Sequence, residues 1–67
     1  MIPTYVTPGA VSALPRLERL VLHSRYGTDG GHVLTLEQTE ARLGLERAQV
    51  RLVEGRALRR LKAAAGA

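Results

Sequence analysis

The sequence predicts an all-α fold: a small helical domain with three main helices and, near the N-terminus, room for one short further helix. Three observations predict it. Aromatic residues are 3% of the 67 positions, Tyr5 and Tyr26 alone, so the core must come from leucine, valine and alanine, which suits packed helices better than a β-sandwich. Apolar residues recur at helical spacing in two long stretches. Proline, glycine or a hydroxyl residue punctuates each stretch where a helix would start or stop. A chain of this length implies one domain with one small core, and it buries only ~60% of its unfolded surface.

The first residues, Met1 to Ala13, read as an arm or a short helix. Thr7 followed by Pro8 is an N-cap and first helical residue, allowing a turn or two through Ala13, although Gly9 and Pro15 oppose a longer helix. "PRLERLVLHSRY" forms the next helix, with Leu17, Leu20, Val21 and Ser24 on one stripe and Gly27 as its natural stop. Arg25 in its last turn suits the negative end of the helix dipole. Glu18 and Leu22 face elsewhere, leaving Leu22 either partly exposed or packed on the arm.

"GTDGGHV" reads as a loop, because three glycines and an aspartate accommodate positive backbone dihedrals. It is too poor in carboxylates for a calcium loop and lacks the lysine of a phosphate-binding loop. In "LTLEQTEARLGL", Thr35 and Gln38 form a capping box for a helix from Leu36 to Leu43, which Gly44 stops. A final helix runs from about Glu46 or Arg47 to about Ala64, with Val50, Val53, Ala57, Leu58 and Leu61 as its apolar stripe. The last residues, 63–67, read as a frayed tail.

Composition narrows the function. Without cysteine there is neither a disulfide framework nor a thiolate zinc site, and the content fits a reducing cytoplasm. No apolar run is long enough to span a membrane, and the start lacks the basic and apolar regions of a signal peptide. His23 and His32 have no companions at metal-ligand spacing, so neither metal nor cofactor is expected. His23 and the adjacent Ser24 point in different directions on a helix, so no catalytic constellation is present and the chain does not read as an enzyme. Net charge is +4, and six of the ten basic residues fall between Arg47 and Lys62. That cluster suits phosphates, an acidic protein or anionic lipid.

Two helices joined by a short turn containing glycine, the second helix basic, spell a helix-turn-helix. Leu36, Leu43, Leu45, Val50 and Val53 form the expected wedge between them. Such a wedge fixes the angle at which the second helix could enter a major groove about 12 Å wide. Leu52 is ambiguous: it either folds back toward Leu45 or stands exposed as an apolar spot.

From "LPRLERLVLHSRYG" through "LTLEQTEARLGLERAQVRLVEGRALRRLK", Leu14 to Lys62, the chain resembles the C-terminal DNA-binding domain of bacterial RNA polymerase sigma factors, region 4. The resemblance rests on four separated pieces: the leucine-proline start with "ERLVL", the "RYG" before a glycine-rich loop, the "LTLE" cap, and the "VR-x-x-E-x-RALRRL" ending. It implies recognition of the −35 promoter element on double-stranded DNA and docking on the polymerase β flap, with activators or anti-sigma factors as further partners and homodimerisation open. By position, Arg47 matches an arginine that reads guanine. Arg51 matches one used for DNA backbone or activator contacts. Arg56, Arg59, Arg60 and Lys62 fall on the basic surface beyond.

The departures from the family pattern are specific. Ala48 stands where the family usually has glutamate, Gln49 where it has arginine, and Leu52 where it has glutamine. Glu46 replaces the usual Ser or Thr cap. Thr39 replaces a branched apolar residue and Glu40 a small one. Each lost bidentate base contact forfeits ~1–3 kcal/mol of discrimination. The expectation is therefore a DNA-binding domain of transcription initiation, cytoplasmic and at the nucleoid, with altered specificity. Thr35, Arg47, Gln49, Arg51, Leu52 and Arg56 are its expected DNA contacts, with Arg47, Gln49 and Arg51 nearest base edges. Leu22, Arg59, Arg60 and Lys62 are its expected partner contacts. The alternative is a stand-alone protein-interaction module that binds the β flap or another transcription factor without reading bases. The chain has no −10-reading region, so it corresponds to a stand-alone protein or to a piece of a larger sigma factor.

Overall fold

The computed structural model describes residues 2–66; Met1 and Ala67, which end the expected arm and tail, lie outside the described residues. Four helices follow one another in the described residues, with no strand: α1 (Pro8–Ser12), α2 (Arg16–Tyr26), α3 (Leu36–Leu43) and α4 (Arg47–Gly66). Local chemistry accounts for four of the boundaries. Thr7 caps α1 by accepting from the Ala10 N–H, with Pro8 at the first helical position. At α3 the Thr35 hydroxyl accepts from the Gln38 N–H at 3.1 Å while the Gln38 side chain accepts from the Thr35 N–H at 2.9 Å. Gly27 and Gly44 end α2 and α3 at φ 64° and 66°, a left-handed conformation that a Cβ disfavours. The final helix continues to Gly66, beyond the expected end near Ala64 and through most of the expected frayed tail.

The core divides into two apolar clusters that share α2 and α4. One joins Val21, Val50 and Val53 with the half-buried Leu36, Leu43 and Leu45, the expected wedge between α3 and α4 with Val21 added. The other joins Val6, Val11, Leu14, Leu22, Ala57 and Leu61, with Tyr5 and Tyr26 against it. Val6 and Val11 bring the N-terminal segment into this second cluster.

That packing corrects the expected face of α2. Leu22, expected among the partner contacts, is fully buried and offers no surface, while Leu17, expected on the inward stripe, is 43% exposed. The cause is non-local: α2 lies between the N-terminal segment and α4, so its buried side turns toward both. Burial also raises the Tyr26 phenol above its ordinary range, with the Glu54 carboxylate adding to the effect.

Polar contacts lock the helices at long sequence separation. Arg25 Nε donates to Glu54 Oε1 at 2.9 Å, and its Nη1 donates to the Leu34 carbonyl at 3.0 Å. The Leu34 N–H in turn donates to the Ser24 carbonyl at 2.7 Å. Arg60 binds the buried Glu18 carboxylate through two hydrogen bonds, 3.0 and 3.3 Å. Within the glycine-rich loop, the Gly31 N–H donates to Asp29 Oδ1, which holds that carboxyl below its usual range.

Replacing Arg25 with methionine removes two charge-assisted hydrogen bonds from a part-buried site. The expected loss is about 2 kcal/mol, or a fall of about 10 °C in Tm for a domain of this size, read by circular dichroism. An unchanged Tm would show that the Arg25 contacts do not hold α2 to α4.

Candidate nucleic-acid interface

The geometry of α4 follows from its pattern of buried positions. Val50, Ala57 and Leu61 are buried on one side, with Val53 beside them. At ~100° per residue, the line diametrically opposite carries Ala48, Leu52, Gly55 and Arg59, with Arg51 and Lys62 on one shoulder and Arg56 on the other. All of these are exposed except the half-buried Gly55. Leu52 is 55% exposed, so the alternative in which it folds back toward Leu45 is not realised.

Arg47 and Arg60 lie at the flanks of the helix, close to its neighbours, and both find carboxylates there. Arg47 Nε sits 3.2 Å from Glu40 Oε2 on α3, and Arg60 Nε 3.0 Å from Glu18 Oε1 on α2. The two pairs differ in kind. The Arg47–Glu40 pair is solvated, a geometry that contributes ~0–1 kcal/mol and exchanges readily. Glu18 is only 8% exposed at its side chain and depends on Arg60 for its neutralisation. Arg60 is therefore in the first place a structural residue, which its position in the sequence did not reveal.

Gln49 is also committed. Its side-chain oxygen accepts from the Glu46 N–H at 2.9 Å, and the Glu46 carbonyl accepts from the Val50 N–H at 3.0 Å. Glu46 thus stands at the N-cap, with Gln49 closing half of a capping box from the third helical position. The spacing Glu46-x-x-Gln49 was the available signal for this, masked by the missing hydroxyl at Glu46. Thr35 sits exposed at the start of α3, its oxygen taken by the Gln38 N–H.

Arg51, Arg56, Arg59 and Lys62 carry no ion-pair partner among the described residues. Glu54 is the one carboxylate side chain between Arg47 and Gly66, and Arg25 holds it. The outward surface of α4 is therefore uniformly cationic around an apolar ridge. The two replaced family positions on α3 have local roles here: buried Thr39 donates its hydroxyl to the Thr35 carbonyl at 2.8 Å, and Glu40 receives Arg47.

The two histidines lie away from α4. His23 and His32 line one small open cavity of about 80 Å³ between α2, the loop and α3, together with Asp29 and Arg42. His23 Nδ1 is hydrogen-bonded with the Thr28 hydroxyl at 2.7 Å. Among the described residues no group of three histidines, cysteines or acids is placed to hold a metal ion.

A short capped helix, a glycine elbow in the left-handed conformation and a longer basic helix wedged against the first define a helix-turn-helix protein. The comparisons with known proteins agree. Residues 10–63 match the family described as sigma-70, region 4, and the chain belongs to that family, whose domain is transcription-related. The RNA polymerase sigma factor SigA1 of Synechococcus elongatus is 41% identical over 54 residues, which cover 81% of this chain and 14% of that relative's length. No solved structure matches. Among the described residues no helix is long and apolar enough to cross a membrane.

Two substitutions separate cap from pair. Gln49→Ala is expected to lower stability by about 1 kcal/mol through loss of the cap, whereas Glu40→Ala is expected to change it by under about 0.5 kcal/mol. Urea unfolding followed by circular dichroism measures both, and equal effects would overturn the distinction.

Proposed function

We propose that this chain acts as a DNA-binding module of transcription initiation, with α4 lying in the major groove at a promoter −35-type site of altered specificity. The observation that carries this reading is the outward face of α4, where Arg51, Arg56, Arg59 and Lys62 stand exposed and unopposed by any free carboxylate of that helix. A groove walled by phosphates on both sides complements cations on both shoulders of a helix. Arg47 adds to this set: its solvated pair with Glu40 can open toward a base or phosphate at small cost. Gln49, in contrast, can reach a base only by giving up its cap, and Arg60 can leave Glu18 only by stranding a buried charge.

Leu52 favours a second reading. An exposed leucine on a basic helix also fits a protein partner, and under this reading the chain binds the polymerase β flap or another transcription factor and modulates transcription without reading bases.

Salt dependence tests the DNA reading. If Arg51, Arg56, Arg59 and Lys62 neutralise four phosphates, the log–log slope of affinity against salt approaches ~−3.6. Arg51→Ala should then reduce its magnitude by ~1. Fluorescence anisotropy with labelled duplex DNA measures both, and a flat salt response would remove the proposal. Recovery of a purified β-flap domain, lost with Leu52→Ala, would instead support the second reading.

A further inference from the structure

Over its first turns the outward line of α4 carries methyl groups, with Arg59 standing on the same line two turns further on. Ala48 and Leu52 are both exposed and lie one helical turn apart on the line opposite the buried side, with Leu52 55% exposed. Of the polar side chains at the start of the helix, Gln49 is held by the Glu46 N–H, and Arg47 lies on the flank beside Glu40 rather than on this line. The outward line thus presents an apolar pair, Ala48 and Leu52, ahead of Arg59 and fenced by Arg51 and Lys62 on one shoulder and Arg56 on the other.

Within the major groove one group offers an apolar complement to such a ridge: the C5-methyl of thymine. The spacing agrees. Four residues of helix rise ~6 Å, close to the ~7 Å spanned by two base steps at 3.4 Å each. The flanking charge selects this occupant over an apolar protein groove. Cations stand on both shoulders, and the one carboxylate of the helix, Glu54, is tied to Arg25 on the inward side. Resting on the DNA-binding reading above, we propose that Leu52 and Ala48 determine specificity by packing on thymine methyl groups. The recognised site is a thymine-containing duplex, read by apolar contact in place of bidentate hydrogen bonds.

Deoxyuridine differs from thymine by that methyl group, so it isolates the contact. The test measures binding of the full chain to alternating adenine–thymine and adenine–deoxyuridine duplexes of equal length, at fixed salt. The expected result is tighter binding to the thymine duplex by about two- to fourfold per contacted methyl. In Leu52→Ala, whose folding circular dichroism verifies, the preference should fall by about two- to fourfold, the share of one methyl, leaving that of Ala48, while salt-dependent affinity for the deoxyuridine duplex persists. Equal, salt-dependent binding of both duplexes by the unaltered protein would overturn thymine reading and leave DNA binding standing; an apolar protein partner for Leu52 predicts that outcome. A thymine preference left unchanged by Leu52→Ala would overturn the assignment to this ridge. Failure to bind either duplex at low salt would overturn the DNA-binding reading itself, and this inference with it.

Discussion

The guanidinium of Arg25 is divided between two partners that come from different parts of the chain. One is the Glu54 carboxylate, in the middle of α4; the other is the Leu34 carbonyl, at the end of the glycine-rich loop. With the Leu34 N–H returned to the Ser24 carbonyl, the loop is stitched to the last turn of α2. Thr35 follows at once and starts α3. One side chain therefore sets where the first helix of the motif begins and where along α2 the second helix lies. The apolar clusters alone are small and their valines and leucines could slide; a directional, part-buried charge pair is less tolerant of a shifted register.

Position around α4 sorts its positive charges into two uses. Cations at its flanks meet the acids of adjacent helices, Arg47 with Glu40 and Arg60 with Glu18, and so help to hold the domain together. Cations on the outward side meet none and are left for something outside the molecule. A tally of basic residues along the helix does not distinguish these groups; their angle around the axis does. Burial of the acid then separates an exchangeable surface pair, Arg47–Glu40, from a clamp over a buried carboxylate, Arg60–Glu18, although the two are of similar length.

Much of this architecture was legible in the sequence because its signals are local. The Thr35–Gln38 box, the stops at Gly27 and Gly44 and the Thr7–Pro8 start are each contained within a few residues. The wedge of Leu36, Leu43, Leu45, Val50 and Val53 follows from periodicity once the elbow is placed. The inward side of α2 was legible only in part: of the two readings of Leu22, packing on the N-terminal segment is the one realised. Leu22 is covered by an N-terminal segment whose path no periodicity describes, and Glu18 is matched with an arginine 42 residues away. Of the outward residues, Arg51, Arg56, Arg59 and Lys62 follow from the resemblance and from lying off the apolar stripe, whereas spacing left Leu52 open between two positions. The double duty of Gln49 was hidden because a glutamate, not a hydroxyl residue, precedes the helix.

Both apolar clusters depend on α4, its N-terminal half on the α3 side and its C-terminal half on the side of the first residues. An assembly order follows from loop-closure entropy. The α3–α4 hairpin closes over a few residues, and so does the corner between α1 and α2, whereas the meeting of α2 with α4, which brings Ala57 and Leu61 to Val6, Val11 and Leu22, closes a much longer loop. Loop-closure entropy thus makes two local corners the early pieces and their joining along α4 the late one.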